Sequence, residues 1–304
     1  MPGKLNWTKS DILKSRLKPN KFNLDPGQLK ELILAVKKKR ELNSVNPIYV
    51  QQTLERYLDK NPNLVQGLFN PRSAVYKQTV KEVRSRLRRV YGLFRKERKS
   101  PLLSHLVESY LKSPLLKKSE RLNNILSAHS STKERLDFYP KLYGQLWEMS
   151  GKPLKILDLG CGINPFSIPL MGLSSMEYYA YDLSNVEVEL LNKFFTLLQK
   201  KSKIRGLAQA ADITQEKSFP KVEVVFLFKM TDILDQGRGH KKSEQLIKSL
   251  DCKWVVVSFP TLTMSGQRMN YPRRRWIELM VKRLGYEYKL LEFPNEIFYT
   301  IRKK

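Results

Sequence analysis

The sequence predicts an α/β protein, with a parallel, Rossmann-like sheet in its C-terminal part and a helical, basic N-terminal region ahead of it. Three observations carry this expectation. The stretch Lys155-Ile-Leu-Asp-Leu-Gly-Cys-Gly-Ile-Asn-Pro165 runs apolar residues through Asp158 into two glycines two apart, as a buried strand entering a tight turn would. Further apolar segments recur after it with helix-compatible stretches between them, which is the pattern of βαβ units. The charge is uneven: residues 1–120 carry 27 Lys and Arg against 10 Asp and Glu, and residues 121–304 carry 29 against 19.

The first 120 residues read as helices. Asp25-Pro26 opens one through Leu29, Leu32, Ile33, Leu34 and Val36 into the charge run Lys37-Lys-Lys-Arg40. Asn46-Pro47 opens another through Val50, Leu54 and Leu58, which stops before Pro62. After Pro71, the residues Tyr76, Val80, Val83, Leu87, Val90 and Phe94 recur at spacings of 4, 3, 4, 3 and 4, laying one apolar stripe along a helix. Helical signals continue through 101–118, so the boundary is expected near residue 120.

From residue 121 the pattern changes. A helical segment around 133–149 precedes apolar strands at 154–159, 177–183, 204–211, 222–228 and 253–259. Helix-compatible stretches at 185–200 and 240–250 separate some of these, which implies parallel pairing. The tail reads as a strand over 286–292, a turn at Phe293-Pro-Asn-Glu296 and a strand over 297–301.

A net charge of +27 would repel itself in isolation, so a polyanionic partner is expected. Residues 72–99 hold 11 Lys and Arg against 2 Asp and Glu, too one-sided for a solvated face that mixes signs. Arg84, Arg88 and Arg95, off the apolar stripe, are the candidate phosphate contacts there, and 1–120 is expected to be an RNA-binding domain. Two cysteines, Cys161 and Cys252, cannot build a disulfide framework or a thiolate zinc site. No apolar run reaches the roughly 18–20 residues that cross a bilayer, and the first residues lack the apolar core of a signal peptide. The expectation is a cytoplasmic protein with no membrane and no metal partner.

Gly160 and Gly162 would let the backbone approach a ligand closely, and Asp182, at the end of the next strand and twenty residues past Gly162, could accept both hydroxyls of a ribose. Asn164 stands where a dinucleotide fingerprint has its third glycine. The Asp-x-Gly-x-Gly form, with Asp182 and Asp212, therefore suits S-adenosylmethionine (SAM) better than NAD.

One further segment makes the reading specific. His129-Ser-Ser-Thr-Lys-Glu-Arg-Leu136, taken with Asp158-x-Gly-x-Gly-x-Asn-Pro165, Leu227-Phe-Lys-Met230 and Ser258-Phe-Pro260, resembles the small-subunit (16S-type) ribosomal RNA guanine-N7 methyltransferases of the aminoglycoside-resistance type. The resemblance covers about residues 120–304 by motif. It implies a class I SAM-dependent methyltransferase domain over 121–304, acting as a monomer on ribosomal RNA, within the small subunit, at a guanine N7 of the decoding region. Adenine N1, another RNA, and a ribosome-binding or assembly protein without catalysis are the alternatives. By the same resemblance Arg135 pairs with the methionine carboxylate of SAM, with His129, Ser130 and Ser131 beside it. Gly160 lines the methionine portion, Asp182 holds the ribose, and Asp212 and Ile213 lie around the adenine. Phe228 covers the cofactor, and Lys229 lies near the reacting groups. Gly266, Met269, Tyr271 and Trp276 match the loop and helix that face the target base, and Arg273 and Arg274 suit RNA phosphates beside it. Lys133 departs from the arginine usual in the family.

The motifs that are missing agree. Exocyclic-amine methylation usually carries Asn/Asp-Pro-Pro-aromatic after strand four, where this chain has Phe228-Lys-Met-Thr-Asp232. Cytosine-C5 chemistry needs a cysteine nucleophile in a loop after strand four or five, and neither Cys161 nor Cys252 lies there.

Overall fold

The computed structural model describes residues 22, 24–43, 45–88, 100–113, 118–235, 239–263 and 266–303. The chain divides between Glu97 and Arg98 into two compact units, some twenty residues before the expected boundary at 120. The shift has a packing cause. Leu103, Val107 and Tyr110 are buried in the same core as Phe194 and Phe226, so the helix carrying them belongs to the sheet unit.

In the first unit, α1 (Pro26–Lys37) begins at a capping box: Asp25 accepts from the Gly27 and Gln28 amides, and Gln28 accepts from the Asp25 amide. Helix α2 (Pro47–Leu58) starts on Asn46, whose side chain accepts from the Ile48 amide. After a 3-10 segment at Pro62–Phe69, Ser73 caps α3 (Ala74–Leu87) by accepting from the Tyr76 amide. Tyr76, Val80, Val83 and Leu87 are buried, as the stripe predicts, while Val90, Phe94 and Arg95 lie outside the described residues. Side chains outside the stripe also hold the unit together. Arg84 donates to the Ala35 carbonyl at 2.5 Å and the Val36 carbonyl at 3.2 Å, satisfying the C-terminal end of α1. Arg88 bonds Glu41 through Nε and Nη2.

The second unit opens with α4 (Ser100–Leu111), α5 (Lys118–Leu126), α6 (Ser130–Arg135) and α7 (Tyr139–Ser150). The sheet strands are β1 (Lys155–Leu159), β2 (Ser175–Asp182), β3 (Lys203–Ala210), β4 (Val222–Phe228), β5 (Cys252–Pro260), β6 (Glu287–Phe293) and β7 (Glu296–Arg302). Their order is β3-β2-β1-β4-β5-β7-β6; the first five are parallel and the terminal hairpin is antiparallel. Every strand expected from the sequence is present. The hairpin turn shrinks to Pro294-Asn295, so Glu296 is the first residue of β7 and not part of the turn.

Helix α8 (Asn185–Lys201) lies between β2 and β3, α9 (Thr231–Asp235) and α10 (Lys241–Ser249) between β4 and β5, and α11 (Arg275–Arg283) between β5 and β6. The central strands are apolar on both faces because both are covered. Ile156, Tyr178, Val224 and Phe226 pack with Tyr143, Leu191 and Phe194 on one side. Leu157, Leu159, Val225 and Leu227 pack with Ile247, Ile277 and Met280 on the other. The strand order reverses between β1 and β4, and the carboxyl ends of strands at such a switch point form the crevice where open α/β sheets bind ligands.

Candidate cofactor site

The turn after β1 is built for close approach. Gly160 has φ +72° and Gly162 φ +51°, both in the left-handed region that a side chain disfavours. A Cβ at Gly160 would sit 2.1 Å from the Met230 sulfur. Backbone bonds from Gly160 and Cys161 to the Tyr181 carbonyl, at 2.8 and 3.0 Å, tie the turn to the end of β2.

Asp182 completes that tie. Its Oδ2 accepts from the Gly162 amide and its Oδ1 from the Ser184 amide, each at 2.9 Å. Asp158 is held from below the turn: its Oδ2 accepts from Asn164 Nδ2 at 2.9 Å and the Tyr178 hydroxyl at 2.7 Å. Burial pushes the Asp158 carboxyl up to about 6, against the lowering effect of those two bonds.

Short α6 places the residues of the His129–Leu136 segment. His129 Nδ1 lies 2.8 Å from Ser131 Oγ, and Thr132, fully buried, donates to the Leu126 and His129 carbonyls. A Cβ at Gly162 would be 3.9 Å from the His129 ring, so this segment and the glycine turn meet in space. Ser130 is the first residue of α6.

Arg135, 2% exposed, is engaged in a way the sequence did not suggest. Its Nε and Nη2 donate to the two carboxylate oxygens of Glu296 at 2.9 and 2.7 Å, and its guanidinium carbon lies 4.8 Å from the Phe228 ring centroid. Burial disfavours the Arg135 charge, but Glu296 more than offsets this and raises its pKa. For Glu296, burial acts upward, and Arg135 with Lys229 brings the pKa below the usual carboxylate value. Both therefore stay charged. Lys229 is the one non-glycine residue with positive φ among the described residues, at +56°. Its amide donates to Ser258, through both the carbonyl and the hydroxyl oxygen, and its Nζ lies 2.5 Å from Glu134 and 3.4 Å from Glu296. Phe228 is 7% exposed, stacked on Phe226 and edge-on to Phe298, which makes it mainly core.

Arg135, Phe228 and Lys229 thus converge, as do His129, Gly162 and Asp182. Glu296 and Ser258 were missed as partners. Glu296 read as a turn residue, and only its place as the lone acid opening an apolar strand could have flagged it. Ile213 is buried against the face that holds Leu159, and Asp212 Oδ1 accepts from the Thr214 amide and hydroxyl in a local turn. Arg274 donates to the Pro272 carbonyl at 2.8 Å and lies over the Phe259 ring, while Arg273 pairs with Glu278. Trp276 is half-buried, stacked on His240 at 4.1 Å. Both cysteines are free; burial pushes the Cys161 thiol well above its usual pKa and the Cys252 thiol up to about 11. Among the described residues no group of His, Cys, Asp and Glu is arranged to hold a metal ion, and no helix is long and apolar enough to cross a membrane.

The residues at the β1–β2 end fit a cofactor with a ribose: two glycines in the left-handed conformation that lets backbone approach a ligand, and a carboxylate fixed beside them by two backbone amides. A family model described as ribosomal RNA methyltransferase (FmrO) matches residues 56–300. A 16S rRNA (guanine(1405)-N(7))-methyltransferase of Proteus mirabilis is 24% identical over 290 residues, covering 90% of this chain and 97% of its own. One of the same name from Micromonospora echinospora is 28% identical over 188 residues, covering 60% of this chain and 66% of its own. Among solved structures, 16S rRNA methyltransferase RmtF in complex with S-adenosyl-L-homocysteine aligns at a TM-score of 0.70. The alignment covers 91% of this chain and 98% of that one at 22% identity, a likeness of fold.

Proposed function

This chain belongs to the FmrO ribosomal RNA methyltransferase family, and we propose that it methylates a guanine N7 in small-subunit ribosomal RNA, with SAM as the donor. The observation that carries the reading is the family match over residues 56–300, which runs from the helical N-terminal unit into the last strand of the sheet. The cofactor supplies a methyl group on a sulfonium, a good leaving group.

The chain's own residues hold and exclude. Guanine N7 already presents an in-plane lone pair, so no proton has to leave before attack, and positioning outweighs general-base catalysis. That suits a site whose charged side chains, Arg135, Glu296, Lys229 and Glu134, are committed to one another. Asp182 would accept from the ribose hydroxyls, Gly160 and Gly162 would admit the methionine portion, and Arg135 with His129, Ser130 and Ser131 would hold its carboxylate end. Asp212 and Ile213 would border the adenine, Phe228 would close the pocket beneath Arg135, and Lys229 would lie beside the reacting groups. Arg273 and Arg274 and the side of Trp276 left exposed would border the base, and Arg84, Arg88 and Arg95 would stand in the basic field of the first unit. We place the enzyme on the assembled small subunit in the cytoplasm, acting as a monomer without a metal. A base presented to this site leaves its stack at a cost of a few kcal/mol, which phosphate contacts offset.

The test is methylation of isolated small subunits and of free RNA with labelled SAM, followed by mapping of the modified atom. Label at N7 of a decoding-region guanine is expected. Label at adenine N1, or SAM binding without transfer to any RNA, would replace this reading with the corresponding alternative.

A further inference from the structure

Glu296 is the most deeply buried carboxylate of the second unit that no step above employs. It is 0% exposed and sits at the first position of β7, paired in register with Pro260 at the end of β5. Four groups converge on it: Arg135 Nε and Nη2 at 2.9 and 2.7 Å, Lys229 Nζ at 3.4 Å, and the Ser258 hydroxyl, which donates to Oε1. A buried carboxylate is costly unless paired and fully hydrogen-bonded, and this one is. Its partners lie on three other elements: α6, the residue following β4, and β5.

Holding Arg135 this way has a geometric consequence. The side-on edge of the guanidinium, Nε with Nη2, is occupied by Glu296, so an incoming carboxylate has the end-on edge that includes Nη1. A second buried chain lies in the same unit: Tyr139 donates to Asn164, and Asn164 donates to Asp158. Lys229, in a left-handed conformation fastened to Ser258, is drawn to the same carboxylate. An arginine and a lysine side by side would repel and splay without an anion between them.

We propose that Glu296 is the positioning residue of the cofactor site, fixing Arg135 so that its end-on edge meets the methionine end of SAM. The terminal hairpin thereby contributes to cofactor binding through one side chain. The proposal rests on the reading of Arg135 as a carboxylate-binding residue.

The experiment measures S-adenosylhomocysteine affinity by calorimetry, melting temperature, and KM for SAM against kcat, for Arg135→Ala, Glu296→Gln and the double variant. Glu296→Gln keeps the shape but swaps one acceptor oxygen for an amide that cannot accept from Arg135. It should weaken S-adenosylhomocysteine about tenfold or more, raise KM for SAM more than it lowers kcat, and leave the far-UV spectrum unchanged. The double variant should bind no more weakly than Arg135→Ala alone, because Glu296 acts through Arg135. It should also melt above Arg135→Ala, since the buried carboxylate that has lost its bidentate partner is gone. Wild-type affinity in folded Glu296→Gln, or losses that multiply in the double variant, would overturn the proposal. Wild-type affinity in Arg135→Ala would overturn the underlying reading of Arg135 instead. If Glu296→Gln does not fold, Glu296→Asp keeps the charge but withdraws it by one methylene, and it should show the same loss of affinity. If Glu296→Asp also fails to fold, or binds as wild type does, Glu296 is structural only.

Discussion

Asp182 and Asp158 sit on neighbouring strands in different surroundings. Asp182 is half-buried and accepts from two backbone amides at the turn. Asp182→Ala should weaken SAM by on the order of 1–3 kcal/mol while the domain stays folded, measured by calorimetry and circular dichroism. Unchanged affinity in the folded variant rules out the ribose role. Asp158 is fully buried, with its pKa pushed up to about 6 from 3.8. Between about pH 4 and 6 the folded chain therefore holds a proton that the unfolded chain has released. The stabilisation this gives at low pH is lost as pH rises through about 6. Asp158→Asn, able to accept the same bonds from Asn164 and Tyr178, should melt like wild type near pH 4 and higher than wild type at pH 8. The gain is on the order of 3 kcal/mol, since each tenfold change in proton affinity is worth about 1.4 kcal/mol. A lower melting temperature at pH 8 would contradict the assignment.

Among the elements, α3 shows how a basic helix divides its charges. Arg84 satisfies the carbonyls that end α1, and Arg88 is bound to Glu41, so two of the arginines read as phosphate contacts also fasten α3 to its own unit. Reversing their charge would perturb folding and RNA binding together. Arg84→Ala should destabilise the first unit by about 1–2 kcal/mol, since it removes the side-chain donors to the Ala35 and Val36 carbonyls, whereas Lys81→Ala on the exposed face should cost under about 0.5 kcal/mol. Hydrogen exchange of the α1 amides measures the difference; equal protection in both variants would deny Arg84 its capping role.

On the scale of the molecule, the basic excess of residues 1–120 lies mainly in the first unit, and the residues that would handle SAM all lie in the second. Exposed Arg72, Lys77 and Lys81 probe the first unit's field without touching its packing. Reversing all three to Glu should leave SAM affinity intact and weaken binding to small-subunit particles. The salt dependence should become shallower, by up to about 0.9 in log–log slope for each phosphate that the variant no longer neutralises. A wild-type slope in the particle titration would mean that this face does not dock RNA.

The sheet and the glycine turn are legible in the amino-acid sequence alone. Those signals are local: an apolar run of strand length, a period of 3.6, and glycines where φ must be positive, each carried within a dozen residues. The family was legible for the same reason, since the His129–Leu136 segment and the turn at Gly160–Gly162 are contiguous motifs. Two matters were left to the tertiary structure. The unit boundary moved from 120 to 97 because α4 buries Leu103, Val107 and Tyr110 against α8 and its neighbours, a choice between two cores that no local pattern encodes. Glu296 joins Arg135 across 161 positions of sequence, and Arg84 reaches α1 across 48 and 49. A charged residue carries no periodicity that names its partner; its pairing is decided by which strand ends and helix ends the packed core brings together, and by the high cost of leaving any charge buried alone.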